Sequence, residues 1–297
     1  MSVSKDSLRR FIFEGEDILG SFVRLDDVWQ ELRSADDYPE ALHDVVGEAA
    51  AATALLGRSL KFDGRLTFQI QGGDPVFLLV MQTDHELSLR GLARWSDEAY
   101  KAVAADGEPG FDQLINGGQF SITVEAANNP ERYQSIVPVA ESNLEACLQH
   151  YYEQSVQLPT LLLLAANEER AAGIMLQAMP ERKPGSGRWR QLVTELEGLD
   201  VLKMSALEDS VLLSTLFPED DIRLFDAEPV SFNCDCSMTR IENVLRMFGK
   251  EELENLLSEP GAVEVRCEFC NALYEVELDR VRELMVEVAA SGDQPVH

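Results

Sequence analysis

Basic residues are scarce in this sequence of 297 residues, which has 25 Lys and Arg against 53 Asp and Glu and a net charge of −28. Proteins that bind nucleic acid gain most of their affinity from Lys and Arg side chains that neutralise phosphates. The same excess of negative charge opposes binding to an anionic membrane. We therefore expect neither nucleic acid nor a membrane among the partners, whereas the high charge favours solubility.

Long hydrophobic runs are also missing. The most apolar stretch, LPTLLLLAA at 158–166, is far shorter than the roughly 20 residues that span a bilayer. Charged residues interrupt the N-terminal segment 1–17, which argues against a secretory signal. We expect a cytoplasmic protein, and in the cytoplasm cellular reductants keep cysteines in the thiol form.

The sequence lacks the short motifs that mark common catalytic sites. It contains no GxxxxGK[ST] phosphate-binding loop, no GxSxG nucleophile motif and no HExxH metalloprotease motif. We therefore expect a protein that is not an enzyme and does not hydrolyse ATP.

The patterns that are present predict an α+β fold for residues 1–180. Short runs typical of strands follow one another along this part of the chain and lie at 66–70, 76–83, 87–94, 119–126, 133–139 and 173–179. Strands in direct succession favour an antiparallel sheet. Two helices are expected to cover it, one that starts near Pro39 and ends at Gly57 and one at 141–155.

The remainder of the chain divides into two segments. The turn-forming sequence PERKPGSGRW at 180–189 separates the first domain, 1–180, from an amphipathic helical linker at 181–230. Within it, 190–217 has a helical pattern of leucines that cannot bury its own apolar stripe, so we expect it to dock on another part of the protein. Residues 231–297 form a small acidic domain, and a domain of this size usually needs a crosslink in addition to its core.

Cysteine is rare, but its few residues are concentrated. Four of the five cysteines occur as CxC, at Cys234 and Cys236, and as CxxC, at Cys267 and Cys270. Short turns of this kind present thiolates in pairs, and two such pairs complete the tetrahedral site that zinc prefers. Three of the four histidines lie in the first domain and the fourth is His297, so an all-cysteine ligand set is the simplest. We expect one Zn²⁺ per chain, with an iron–sulfur centre as the less favoured alternative.

Other uses of the cysteines stay open at this point. A permanently folded zinc module could recruit one fixed partner, or the CxxC could belong to a thiol oxidoreductase. The second alternative normally places CxxC at the start of a helix, whereas here it falls in a predicted hairpin. The fifth cysteine, Cys147, lies on the apolar face of the helix at 141–155, where packing is the simplest role. A reactive thiol assisted by His150 is the alternative for it.

Segments along nearly the whole chain carry a further signal. They are LKFDGRLTFQIQGGDP (60–75), RGLAR (90–94), ERYQSIVPV (131–139), YYEQSVQLPT (151–160) and AAGIMLQAMP (171–180). Together with the two cysteine motifs, they resemble the heat-shock protein 33 family, the redox-regulated holdase chaperones of the bacterial cytosol. The resemblance implies a stress-response protein that binds unfolding client proteins without ATP.

The same resemblance implies a switch and assigns a metastable linker to about 181–230. Members of the family are monomeric and inactive when they are reduced with zinc bound, and they are active and prone to form homodimers after oxidation. It further implies that Cys234 bonds to Cys236, and Cys267 to Cys270, when oxidation releases the metal. In the resulting hypothesis, loss of zinc unfolds 231–297, which removes the docking partner of the linker and exposes apolar surface to clients.

Overall fold

The computed structural model describes residues 5–59, 64–126, 132–179, 187–248, 250–258 and 261–291. The chain divides into two compact units, Met1–Asn233 and Cys234–His297. Helices and strands occur in both units, so the predicted α+β class is confirmed. The described part of the linker, from residue 187 onwards, belongs to the first unit, and most of the predicted turn at 180–189 lies outside the described residues.

Two sheets make up the framework of the first unit. Their described strands are β1 (Ser7–Phe13), β2 (Ile18–Leu25), β3 (Gly64–Gln71), β4 (Asp74–Asp84), β5 (Ser88–Trp95), β6 (Ile115–Asn116), β7 (Gln119–Ala126), β8 (Arg132–Pro138), β9 (Thr160–Ala166), β10 (Ala171–Ala178), β11 (Ile222–Leu224), β12 (Glu228–Pro229) and β13 (Ser231–Phe232). The first sheet has the order β11-β1-β2-β10-β9, with β12 also paired to β1, and the second has the order β13-β5-β4-β3-β7-β8, with β6 paired to β4. Among these described strands, all pairs are antiparallel except β13 with β5.

The six strands predicted from the sequence are confirmed as β3, β4, β5, β7, β8 and β10. Strands β1, β2 and β9 were not predicted. In β2 nearly every residue is buried, because this strand is covered on both faces, so it lacks the alternation of apolar and polar residues that identifies a half-exposed strand.

The described helices of the first unit are α1 (Asp27–Arg33), α2 (Glu40–Ser59), α3 (Asp97–Val103), α4 (Phe111–Leu114), α5 (Leu144–Tyr151), α6 (Gly187–Glu195), α7 (Val201–Ser205) and α8 (Asp209–Leu216). A 3₁₀ turn, Ala104–Asp106, follows α3, and a π-helical turn, Tyr152–Val156, follows α5. The predicted helix at 141–155 is therefore confirmed as α5 and this turn. Asn143 begins it, since its side chain accepts a hydrogen bond from Ala146 N at 2.8 Å.

Helix α2 packs against strands of both sheets and forms the centre of the main core. Its alanines are small enough to let the sheets approach closely, and they are fully buried: Ala49, Ala50, Ala51, Ala52 and Ala54. The prediction that Gly57 ends this helix is wrong, because the helix continues to Ser59. Gly57 provides space instead, since a Cβ there would lie 2.4 Å from Cγ2 of Thr83 on β4.

The described part of the linker forms three helices, α6, α7 and α8, where the sequence predicted one helical segment at 190–217. Gly198, with φ of +72°, separates the first two. The buried apolar residues of these helices are Leu192, Val201, Leu212 and Leu213, and two more, Leu196 and Phe217, directly follow α6 and α8. All of these except Val201 join a cluster with Phe11, Phe13, Ile18, Phe22, Ile174 and Leu176 of the first sheet. The prediction that the linker docks is therefore confirmed.

The sequence predicted residues 231–297 as the docking partner of the linker. The packing of the linker leucines corrects this prediction. The leucines cover the aromatic face of the first sheet, on β1, β2 and β10. The physical reason is that this sheet packs one face on α2 and needs a second apolar layer on the other. Gly20 on β2 helps to form this face, because it leaves room for the ring of Phe11, its cross-strand neighbour.

A buried arginine joins the linker to the same sheet. Arg24, on β2, is fully buried, and its guanidinium donates to Ser205 O at 2.6 Å from Nε and to Leu207 O at 2.8 Å from Nη2. Its Nη1 donates to the carboxylate of Asp209, the first residue of α8. Arg9 Nε lies 2.7 Å from the other oxygen of that carboxylate. We call these five residues the Arg24 clasp.

The second unit has the described helices α9 (Met238–Met247), α10 (Lys250–Ser258) and α11 (Leu278–Ser291) and the hairpin strands β14 (Val263–Arg266) and β15 (Leu273–Val276). The hairpin that the sequence predicts around the CxxC is confirmed as β14 and β15. The buried apolar residues among those described in this unit are Ile241, Leu245, Leu253, Val263, Val276, Val281 and Leu284. This core is much smaller than that of the first unit.

Candidate metal centre

The CxC pair lies in the short segment that leads into α9. Ser237 caps this helix, and its side chain accepts a hydrogen bond from Arg240 N at 3.4 Å. Between the two cysteines, Asp235 forms an ion pair with Arg240 through both guanidinium Nη atoms, each 2.5 Å from a carboxylate oxygen. The cap and the ion pair together fix the CxC segment against the start of the helix.

The CxxC pair lies in the turn between β14 and β15. The backbone N of Asn271 donates to Cys267 O at 2.8 Å, and the N of Cys267 donates to Ala272 O at 2.9 Å. Asn271 has φ of +56°, in the left-handed region that asparagine tolerates better than most residues. These bonds close the turn and hold both CxxC sulfurs on one side of it.

The structure brings all four predicted cysteines together. Their Sγ atoms lie within 4.8 Å of one another, and each residue is half-buried. Two sulfur–sulfur distances relate the CxC to the CxxC. Cys234 Sγ lies 3.6 Å from Cys267 Sγ, and Cys236 Sγ lies 3.4 Å from Cys270 Sγ.

This donor set fits a structural zinc ion. With Zn–S bonds of about 2.3 Å, a tetrahedral site places its sulfurs about 3.8 Å apart, which is close to both measured separations. Among the described residues, this group contains four thiols and no nitrogen or oxygen ligand. That donor set is the chemistry that zinc or an iron–sulfur centre prefers over Mg²⁺ or Ca²⁺. The group could therefore hold a metal ion, with Cys234, Cys236, Cys267 and Cys270 as its ligands.

A hydroxyl group also reaches the cluster. Tyr274 Oη, on β15, donates to Cys236 Sγ at 3.0 Å. Burial raises the pKa of the Cys236 thiol, but the hydrogen bonds from Tyr274 and Cys270 lower it by more, so that its pKa falls below the usual value. Burial raises the pKa of Cys234 and of Cys270. The bond to Cys236 raises the pKa of Tyr274 to about 12, so the tyrosine keeps its proton at neutral pH.

Cys147 lies outside this group, as the sequence predicted. It is buried in α5 of the first unit, and burial raises the pKa of its thiol. His150 Nδ1 lies 3.8 Å from Glu141 Oε1. These observations favour a packing role for Cys147 over a reactive thiol.

Sequence reasoning missed Tyr274. A signal was available, because Tyr274 follows the CxxC by four residues on a strand that leads directly out of the turn. Its partner sulfur, however, belongs to a segment 38 residues earlier in the chain. That pairing depends on the tertiary structure.

Within the described ranges, none of the helices combines the length and the apolar character needed to cross a membrane.

This chain is similar to known proteins in both its sequence and its fold. The family model described as Hsp33 protein matches residues 6–277. The 33 kDa chaperonin of Shewanella loihica is 38% identical over 275 residues, which cover 93% of this chain and 94% of the relative. That of Nitrosococcus oceani is 37% identical over 285 residues, which cover 96% of each chain.

A solved structure agrees with these relatives. The crystal structure of the 33 kDa chaperonin from Thermotoga maritima has a TM-score of 0.82 to this chain, at 21% identity, and the match covers 97% of this chain and 100% of that one. At this identity the likeness shows a shared fold. The family match and the two sequence relatives show more: this chain belongs to the Hsp33 family of chaperones.

Proposed function

We propose that this protein is a cytoplasmic, redox-regulated holdase, which binds unfolding client proteins without ATP after its cysteines are oxidised. The observation that supports it most directly is the convergence of four thiols in a unit whose apolar core is small. In such a unit, a change at the cysteines decides whether the fold persists.

In the reduced state, Cys234, Cys236, Cys267 and Cys270 would hold one Zn²⁺ per chain. The ion would crosslink the segment before α9 to the turn between β14 and β15. Structural zinc sites contribute on the order of 10–16 kcal/mol to folding, which is comparable with the whole stability of a typical domain. The second unit would therefore depend on the metal for its fold.

Oxidation would remove this crosslink. A hydroperoxide takes two electrons and two protons from a pair of thiols, which leaves one disulfide and, with hydrogen peroxide, two water molecules. The family resemblance assigns these bonds to Cys234 with Cys236 and to Cys267 with Cys270. Each bond closes a very short loop and joins nothing across the unit, so the tie between the CxC and the CxxC is lost. Neutral disulfide sulfurs are also poor ligands for a dication.

The client surface would come from the first unit and its linker. The linker leucines and the face of the first sheet that they cover contain large apolar side chains, among them Phe11, Phe13, Phe22 and Phe217. Separation of the two layers would expose both to unfolding proteins, which bind through the hydrophobic effect. The chain itself provides the coupling: Asn233 N donates to Leu89 O at 3.0 Å, and the next residue is Cys234. Unfolding of the second unit would thus begin directly beside a bond that holds the last residue of the first unit, three positions after the linker.

The switch predicts a large difference between two states of one sample. We expect the reduced, zinc-bound protein to leave the aggregation of a thermally unfolding enzyme unchanged, and the protein treated with peroxide and mild heat to suppress it without ATP. Light scattering measures the aggregation, and size-exclusion chromatography with multi-angle scattering measures the accompanying shift from monomer to homodimer. Equal suppression in both states would support a permanently folded binding module instead.

The disulfide pattern predicts which bonds oxidation forms. Peptide mapping of the active form should find Cys234 bonded to Cys236 and Cys267 bonded to Cys270. Limited proteolysis should cut first in the linker and the second unit, because their stability depends on the metal or on docking. A dominant bond between the CxC and the CxxC would contradict the mechanism, since it would restore the crosslink that zinc supplied.

A thiol oxidoreductase is less well supported. Its CxxC would lie at the start of a helix, whereas Cys267 and Cys270 lie in the turn of a hairpin. Reduction of insulin by a dithiol measures this activity directly, and we expect no acceleration by this protein.

A further inference from the structure

Tyr274 connects the two cysteine motifs by a route that does not use the metal. It lies on β15 opposite Val265 on β14, and so belongs to the hairpin that carries the CxxC in its turn. Its hydroxyl donates across the site to Cys236 of the CxC at 3.0 Å. The sulfur that receives this bond is the one that lies 3.4 Å from Cys270 Sγ.

The ring of Tyr274 is held in place by packing. It is partly buried against the core of the second unit, which includes Val263 and Val276 on the same hairpin. A hydroxyl on a packed ring has little freedom, so its hydrogen bond is preorganised rather than one of many exchanging contacts with water.

A hydrogen bond to a thiolate changes two properties of the sulfur. It stabilises the anion that a metal ligand must be, and partners of this kind in the surroundings of metal ligands typically change metal affinity by 10–100-fold. It also withdraws electron density, and the intrinsic nucleophilicity of a thiolate falls as its basicity falls. Both effects favour the reduced, metal-binding state of Cys236.

We propose that Tyr274 is a positioning residue of the cysteine cluster, which holds Cys236 Sγ beside Cys270 Sγ and slows the oxidation of the CxC pair by hydroperoxides. This inference rests on the proposed redox function and adds a control on its rate. Tyr274 sets how readily the CxC pair leaves the reduced state, and so how much oxidant is needed before the protein becomes active.

The oxidation step shows where the hydrogen bond acts. The Cys236 thiolate attacks one oxygen of the hydroperoxide; the O–O bond breaks, the sulfur becomes a sulfenic acid, and the leaving oxygen takes a proton as water or an alcohol. The Cys234 thiol then attacks this sulfur, an S–S bond forms, the S–O bond breaks, and water leaves. Cys236 must present a lone pair to the oxidant in the first step, and the Tyr274 hydroxyl occupies one.

The first test is Tyr274→Phe in the full-length, reduced, zinc-loaded protein, with hydrogen peroxide as the oxidant. We expect the Cys234–Cys236 disulfide to form about tenfold faster, as measured by quenched alkylation and mass spectrometry. Zinc transfer to the chelator 4-(2-pyridylazo)resorcinol should accelerate by a similar factor. Tyr100→Phe is the matched control, because Tyr100 is also partly buried against a core, in the first unit. Rates equal to those of the unsubstituted protein would overturn the proposal.

A spectroscopic measurement separates a role at the sulfur from a merely structural one. With Co²⁺ in place of zinc, loss of the hydrogen bond makes the Cys236 thiolate more electron-rich, so the sulfur-to-cobalt charge-transfer absorption of Tyr274→Phe should move to lower energy. This signal comes only from the folded, metal-bound fraction, so it tests the inference even if the variant is less stable. An unchanged absorption would overturn the role of Tyr274 alone. Absence of thiolate–cobalt absorption in the unsubstituted protein would instead overturn the metal site on which the proposed function depends.

Discussion

Replacement of Cys267 by serine is expected to unfold the second unit in the reduced protein. One of four thiolates is lost, so the tetrahedral site opens and zinc content should fall from one per chain towards zero. The unit then retains only a small apolar core, which cannot compensate for a metal contribution on the order of 10 kcal/mol. Zinc analysis and limited proteolysis measure the two consequences, and new cleavage should appear within 234–291 while the core of the first unit persists. Cys234→Ser should behave in the same way.

Cys147→Ser is the matched control for these substitutions. This cysteine is buried in α5 of the first unit and lies outside the group of four thiols. We expect its zinc content and the protease resistance of the second unit to equal those of the unsubstituted protein. Loss of metal on this substitution, or its retention in Cys267→Ser, would show that the ligand assignment is wrong.

Asp209→Ala is expected to release the linker without any change at the cysteines. The substitution removes the carboxylate of the Arg24 clasp and leaves the guanidinium of Arg24, whose side chain is only 1% exposed, without its anionic partner. Removal of one member of a buried ion pair costs about 3–5 kcal/mol. Because the Asp209 side chain is 17% exposed, we expect the lower end, about 3 kcal/mol. That value corresponds to an increase of roughly 100-fold in hydrogen exchange of the amides of α7 and α8.

The neighbouring residue supplies the control for the clasp. Glu208→Ala removes the same charge one position earlier, but Glu208 is exposed and its side chain does not cap α8. Its effect should stay within about 0.5 kcal/mol. If the linker alone gates client binding, reduced Asp209→Ala should also suppress aggregation, whereas reduced Glu208→Ala should not. Equal hydrogen exchange in the two variants would show that the clasp does not hold the linker.

Strands β3 and β4 show the alternation of buried and less buried residues that the sequence predicts well, whereas the predicted strand β10 is almost entirely buried. In β3, the apolar residues Leu66, Phe68 and Ile70 are fully buried, and Thr67 and Gln69 between them are half-buried. Alternation of this kind is a local property of a strand. Strand β2 lies between two apolar layers and carries Arg24 within a run of buried residues. Neither feature follows from periodicity, so the first sheet was largely missed.

Gly57 shows that sequence-based prediction is limited in the same way at single residues. Gly57 follows a regular helical pattern, and its most general meaning there is a helix end. In the folded protein it marks the place where α2 meets the Thr83 methyl group of β4. A close approach between two elements remote in sequence cannot be inferred from either element alone.

The sequence by itself determined the α+β class, the four candidate metal ligands and the need of the linker to dock, because spacing, composition and apolar patterning are local properties of the chain. Only the tertiary structure decided what the linker docks on, which carbonyls and carboxylate Arg24 binds, and which sulfur receives the Tyr274 hydroxyl. The contacts of Arg24 and Tyr274 join residues that are 38 or more positions apart. Their pairing depends on how whole sheets and helices pack. An apolar face can pack against many other faces, and a polar group can bond to many others, so the sequence alone does not identify the partner that the fold brings into contact.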